Sequence, residues 1–84
     1  MEVLLLTTSH CHFCLDAQEI LIRLEAEFDL KVRQIDLSSQ EGKLISESMG
    51  LPMAPGILID NELVSYGRPS ERKLRRECES RSVR

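Results

Sequence analysis

The sequence predicts an α/β fold in which a mixed four-stranded sheet is flanked by helices, in the order β-α-β-α-β-β-α. Three observations predict it. An apolar run, Val3-Leu4-Leu5-Leu6, leads through Cys11-His12-Phe13-Cys14 into a helical pattern. Apolar residues then alternate between strand and helix periods, and a hairpin signal at Asp60-Asn61 precedes a last helical stretch.

Residues 2–7 are an apolar run of strand length, expected to be buried on both faces as a central strand beside parallel neighbours. Beyond the cysteines, Ala17, Ile20, Leu21, Leu24 and Phe28 recur at helical spacing, with Asp16, Glu19, Arg23 and Glu27 on other faces. They predict an amphipathic helix of roughly three to four turns. Leu30, Val32 and Ile35 among Lys31, Arg33, Gln34 and Asp36 alternate imperfectly and predict a strand over residues 31–36. Ser38, with Glu41 three residues later, fits a capping box, followed by Leu44, Ile45 and Met49 on one face and Gly50 as the stop. Ile57-Leu58-Ile59 and Leu63-Val64-Ser65-Tyr66 read as strands joined by a tight turn, because Asp60 and Asn61 tolerate positive φ. Gly67-Arg68-Pro69-Ser70 ends the last strand, and Ser70 can cap a final helix that turns Leu74 and Cys78 inward. Two strands joined through a helix run parallel by a right-handed crossover, whereas the closing hairpin is antiparallel.

The 84 residues suffice for one domain, taken as residues 1–80 with a frayed basic tail at 81–84. Folding at this size removes only roughly 60% of the unfolded surface from water, so the core is modest. One Tyr, two Phe and no Trp make it mainly aliphatic. No window approaches the roughly 20 apolar residues of a membrane-spanning helix, and no secretory pattern opens the chain. Three Cys form no even disulfide framework, so a single close pair points to redox or metal chemistry in a reducing compartment, with the cytoplasm as the expected location. Charge is uneven: residues 1–67 carry a net −7 and residues 68–84 a net +4. The plain reading of the basic end is a solvated helix face; contact with an acidic partner or nucleic acid is the alternative. No nucleic acid and no membrane is expected among the partners.

The chemistry centres on Cys11 and Cys14. A strand feeding a helix through Cys-x-x-Cys puts the Cys11 sulfur at the helix N-terminus, where unpaired N–H groups and the positive end of the dipole favour a thiolate. An ordinary thiol titrates near roughly 8.5, and such a setting can bring it down to about 3.5–7.5. Cys14, one turn onward and less exposed, suits a resolving role. Two readings compete with this one. The pair can be buried and inert, or it can hold metal, since His10, Cys11, His12 and Cys14 offer four donors within five residues. Neighbouring side chains diverge, however, and Cys78 is the only further soft ligand, so no metal ligands are assigned; an ion or iron–sulfur cluster shared by two chains is the remaining form of that reading. His10 caps or flanks the loop. Cys78 reads as a core residue, and Arg72, Lys73, Arg75 and Arg76 as the solvated side of the last helix, with a docking patch as the alternative.

With Pro55 of Ala54-Pro55-Gly56 placed before the third strand, the arrangement resembles the thioredoxin-fold superfamily. In its length and early motif it looks most like a glutaredoxin-like, small Cys-x-x-Cys member, over about residues 2–79. The resemblance implies a dithiol–disulfide oxidoreductase in which Cys11 attacks a substrate disulfide and Cys14 resolves the mixed disulfide. It implies protein disulfides or glutathione mixed disulfides as substrates, a reductase or glutathione as electron donor, no required cofactor, and a monomer. It also implies a cis Pro55, a substrate groove including Ala54, Pro55, Gly67 and Arg68, and tuning of the potential by His12 and Phe13. A positive His12 imidazole would favour the thiolate and make the disulfide more oxidising. The chain departs from the pattern in several places. His12-Phe13 replaces the Gly-Pro of typical thioredoxins and the Pro-Tyr of typical glutaredoxins, and no Trp precedes Cys11. Leu5 stands where many thioredoxins carry a buried acid, and Thr8 where glutaredoxins often carry a basic residue. Tyr66-Gly67-Arg68-Pro69 replaces the Gly-Gly, small residue and Asp that commonly grip glutathione, although Arg68 can offer charge to a carboxylate. A metal-binding protein and a non-catalytic adaptor of the same fold are the rival functions.

Overall fold

The computed structural model describes residues 1–82. Its elements are β1 (Glu2–Thr7), α1 (His12–Glu25), β2 (Lys31–Asp36), α2 (Gln40–Met49), β3 (Gly56–Ile59), β4 (Glu62–Tyr66) and α3 (Glu71–Ser82). The strands form one sheet in the order β2-β1-β3-β4. The aliphatic run makes β1 central, with Val3, Leu5 and Leu6 buried. Its two neighbours are not both parallel, contrary to the expectation from the apolar run. β2 runs parallel, pairing Thr7 with Asp36, whereas β3 runs antiparallel, pairing Leu6 with Gly56. These registers show that β2 stops and β3 starts at the same end of the sheet, so the strand that enters after α2 must run against β1.

Side-chain alternation along the strands divides the core into two layers. On one face Val3, Leu5, Ile57 and Ile59 meet Ala17, Ile20, Leu21 and Leu24 of α1 and Leu74 and Cys78 of α3. On the other, Leu6, Ile35 and Leu58 lie under Ile45 and Met49 of α2. Asp60 and Asn61 both take positive φ, 49° and 68°, and close the β3–β4 hairpin. No helix among the described residues is long and apolar enough to cross a membrane.

Several local expectations are corrected. α1 ends at Glu25, and Phe28 covers the core from the following turn, its N–H donating to the Leu24 carbonyl at 2.9 Å. The cap of α2 is Ser39, whose Oγ accepts the Gly42 N–H at 3.0 Å. Ser38 is not free to cap, because its N–H and hydroxyl both donate to Asp36 Oδ1 at 2.7 Å. Glu41 pairs with Arg33 of β2 instead of completing a capping box. Leu44 is 62% exposed, because the face pressed on the sheet holds Gly42, Ile45 and Met49 at helical spacing and Leu44 points away from it. Gly50, with φ 63°, stops the helix in the left-handed conformation.

Ser70 caps α3, its Oγ accepting the Lys73 N–H at 3.2 Å. The helix also holds Arg81 and Ser82, two of the four residues expected in a frayed tail; residues 83 and 84 lie outside the described residues. Arg81 pairs with Glu62 of β4 at 2.6 Å and with Glu77 at 3.3 Å, and the Ser82 hydroxyl donates to the Cys78 carbonyl at 2.7 Å. Arg23–Glu71 at 2.8 Å connects α1 to α3, and Arg75–Glu27 at 2.6 Å ties α3 to the turn that follows α1. Exposed pairs of this kind add little stability singly, and the buried Leu74 and Cys78 do more to hold α3 down.

Candidate active site

The chain leaves β1 at the buried Thr7 and turns at His10, whose φ of 54° lets the backbone swing into α1. Cys11 thereby becomes the N-cap of α1, with extended backbone, and its Sγ accepts the Cys14 N–H at 3.1 Å. A cap atom of this kind satisfies one of the donors that a helix start leaves unpaired. The first turn of α1 carries no acidic residue, so no carboxylate offsets the positive pole there. Cys11 and Cys14 are joined by a disulfide, with Cα atoms 5.1 Å apart. Cys11 is half-buried and Cys14 is buried, so Cys11 is the more accessible of the two to an incoming molecule. The His12 side chain is 84% exposed, with Nε2 3.7 Å from Asp16 Oδ2, and the exposed Phe13 lies beside it with ring centroids 6.4 Å apart.

A groove of about 330 Å³ opens beside the bridge, bordered by both cysteines, His10, Thr7, Gln18 and Gln34. Part of its lining is a hydrogen-bonded chain in which Gln18 Nε2 donates to Gln34 Oε1 at 2.9 Å and Gln34 Nε2 donates to Thr7 Oγ1 at 3.3 Å. Sequence reasoning missed Thr7, Gln18 and Gln34, because they come from β1, α1 and β2 and share no local pattern.

Ala54, Pro55, Gly67 and Arg68 form a different flank of the same sheet end. The Ala54–Pro55 peptide bond is cis, and the Gly67 N–H donates to the Pro55 carbonyl at 2.9 Å. Because Gly56 pairs with both Leu6 and Tyr66, these loops stand at the end of the sheet from which β1 passes to Cys11. Gly67 has a φ of 71°, a conformation that favours glycine, and a Cβ there would lie 3.1 Å from the sulfur of the flexible Met53 side chain, which would have to shift slightly. Met53 and Tyr66 are exposed on this flank, as is Arg68. The groove borders Cys11, Cys14 and His12, while Phe13, Ala54, Pro55, Gly67 and Arg68 are outside its lining.

Leu5 is a core residue, 1% exposed, and Thr8 is exposed in the loop. Cys78 is buried in the α1/α3 layer, and burial pushes its thiol up. Among the described residues no three His, Cys, Asp or Glu side chains are grouped to hold a metal ion.

The model of the family described as Glutaredoxin-like domain (DUF836) matches residues 2–79. A mutant thioredoxin from Halobacterium salinarum is 21% identical, with a TM-score of 0.76 over 99% of this chain and 75% of the other. Reduced glutaredoxin from Escherichia coli is 16% identical, with a TM-score of 0.68 over 95% of each chain. A chain from the complex of ferredoxin:thioredoxin reductase and thioredoxin f2 is 22% identical, with a TM-score of 0.68 over 98% of this chain and 77% of its own. At these identities the likeness shows the fold. No curated protein sequence matches the chain.

Proposed function

The chain belongs to the glutaredoxin-like domain family, a redox-type thioredoxin-like protein with Cys11 and Cys14 as its Cys-x-x-Cys pair, and on that premise we propose that it is a thiol–disulfide oxidoreductase. The observation that carries the proposal is the Sγ of the half-buried Cys11, at the N-cap of α1 and 3.1 Å from the Cys14 N–H. When the bridge is reduced, that N–H and the helix dipole favour the thiolate over the thiol.

In the proposed cycle, the Cys11 thiolate attacks one sulfur of a substrate disulfide. A Cys11–substrate disulfide forms as the substrate S–S bond breaks, and the other substrate sulfur leaves as a thiolate. Cys14 then loses its proton to water or to the departing thiolate and attacks the Cys11 Sγ. The Cys11–Cys14 bridge forms, the second substrate thiolate leaves, and two electrons have passed to the substrate. Two equivalents of glutathione, or one dithiol reductase, return those electrons and become the disulfide. No further cofactor is needed. Ala54, Pro55, Gly67 and Arg68 are proposed to seat the substrate, with Arg68 offering charge to a carboxylate. His12 and Phe13 are proposed to set the potential. A monomer in the cytoplasm completes the proposal.

Turnover of a small disulfide by the reduced protein, with glutathione or with a thioredoxin reductase as donor, is the test. The expected result is turnover with one donor, its loss in Cys11→Ser, and a trapped mixed disulfide in Cys14→Ser. The proposal is overturned if neither donor supports turnover and Cys11 alkylates no faster than a peptide thiol.

A further inference from the structure

We propose that Arg68 and the first turns of α3 form a docking surface for an acidic protein, placed to bring that protein's disulfide to Cys11; the inference rests on the disulfide-exchange reading and names its partner class. Charge segregation is the first support. The last 17 residues carry a net +4 on a chain whose remainder carries −7. Among the described residues of that segment the cations fall into two sets. Arg75 and Arg81 are occupied by Glu27, Glu71, Glu62 and Glu77. Arg68, Arg72, Lys73 and Arg76 are exposed and make no ion pair among the described residues.

The second support is that these charges oppose the stability of the helix bearing them. Cations near a helix N-terminus face the positive pole of the dipole, and Arg72 and Arg76 are like charges one turn apart. Glu71 and the Ser70 cap offset part of this, but nothing in the packing of α3 calls for the three cations. Their side chains, with Ser70, surround a shallow concavity of about 350 Å³ open to solvent.

Position is the third. α3 follows Gly67, which is bonded to Pro55 at the sheet end carrying Cys11, while its far end is tied to Glu62 at the start of β4. The unpaired cations are therefore at the cysteine end, with the exposed Tyr66 and Met53 on the adjoining flank. An acidic surface approaching here is attracted by α3 and repelled by the acidic remainder, which orients it. An extended polyanion such as a nucleic acid would meet that repulsion along its length, so the observations favour a protein.

The test uses two disulfide-bridged peptides of identical core, one flanked by Asp and Glu and the other by Lys, exchanged with the reduced full chain. The acidic peptide should react roughly tenfold faster at low ionic strength, with the preference shrinking as salt rises. The combined Arg72→Gln, Lys73→Gln, Arg76→Gln variant should bring the ratio of the two rates toward one. Equal rates for the two peptides overturn the docking inference and leave the exchange reading standing. A second readout does not depend on exchange: in a Cys11→Ser, Cys14→Ser chain, the acidic peptide should shift the backbone amide resonances of residues 68–76. Absence of those shifts overturns the inference, as does a single-stranded oligonucleotide producing them at lower concentration than the peptide.

Discussion

The backbone N–H of Cys14 donates to the Sγ of Cys11 over 3.1 Å, so the atom proposed to attack disulfides is also the cap of α1. Helix stability and nucleophilicity thus meet in one contact, and substitution can separate them.

Serine is a good N-cap and a poor nucleophile at neutral pH; alanine is neither. Compared with the reduced wild type in urea denaturation, Cys11→Ser is expected within a few tenths of a kcal/mol, and Cys11→Ala about 1 kcal/mol less stable. Both should lose disulfide exchange. Equal stability of the two variants would show that the sulfur does nothing for the helix.

Gly42 tests how α2 is seated. A Cβ there would lie 2.2 Å from the Asp36 carbonyl oxygen, which is backbone and cannot rotate away. Alanine improves intrinsic helix propensity by about 1 kcal/mol, whereas forcing the helix off β2 costs about 1–3 kcal/mol. Gly42→Ala should therefore destabilise the protein despite being favourable in an isolated helix. At Gly50 the space is open but φ is 63°, so Gly50→Ala should cost about 1 kcal/mol through conformation alone. Chemical denaturation of both variants checks the pair, and a stabilised Gly42→Ala would contradict the close approach.

A hydrogen bond from Arg23, aided by the charges of Arg23 and Arg75 and opposed by partial desolvation, holds the Glu71 carboxyl below the usual glutamate range. A carboxyl lowered in the folded state is protonated more readily in the unfolded chain. Its stabilisation is complete above the ordinary value of 4.5 and disappears as pH falls through the folded value. The stability gap between wild type and Glu71→Gln should therefore narrow as pH falls from neutral through the range below the ordinary glutamate value. Thermal melts across that range report it, and a gap that widens toward acid would reverse the assignment.

Cys78 is 1% exposed and its thiol is pushed up by burial. In the reduced native protein, mass spectrometry after a short iodoacetamide pulse should find Cys11 labelled and Cys78 unmodified. In urea Cys78 should react like any thiol. Rapid native labelling of Cys78 would show that α3 detaches readily from the sheet.

Most strands, the hairpin turn and the placing of Cys11 at a helix start were legible in the sequence because their signals are local: an aliphatic run, positive-φ residues between two strands, a cysteine pair ahead of helical spacing. What was not legible depends on residues distant along the chain. Which serine caps α2 is decided by Asp36, whose carboxylate claims Ser38 and leaves Ser39. The direction of β3 depends on the end of the sheet to which the α2 connection returns. The chain Gln18–Gln34–Thr7 spans separations of 16 and 27 residues, so no window contains it. Arg81 looked like part of a loose tail because Glu62, the group that holds it, belongs to another element.

Met1 donates its ammonium to the Asp29 carbonyl at 2.7 Å and shares a shallow cleft with Arg81 and Ser82, at the pole of the sheet away from the cysteines. A fluorophore or a surface tether fixed there leaves the sulfur pole unobstructed. Single-molecule or immobilised-electrode measurements can therefore address the bridge with macromolecular disulfides in free solution on the far side.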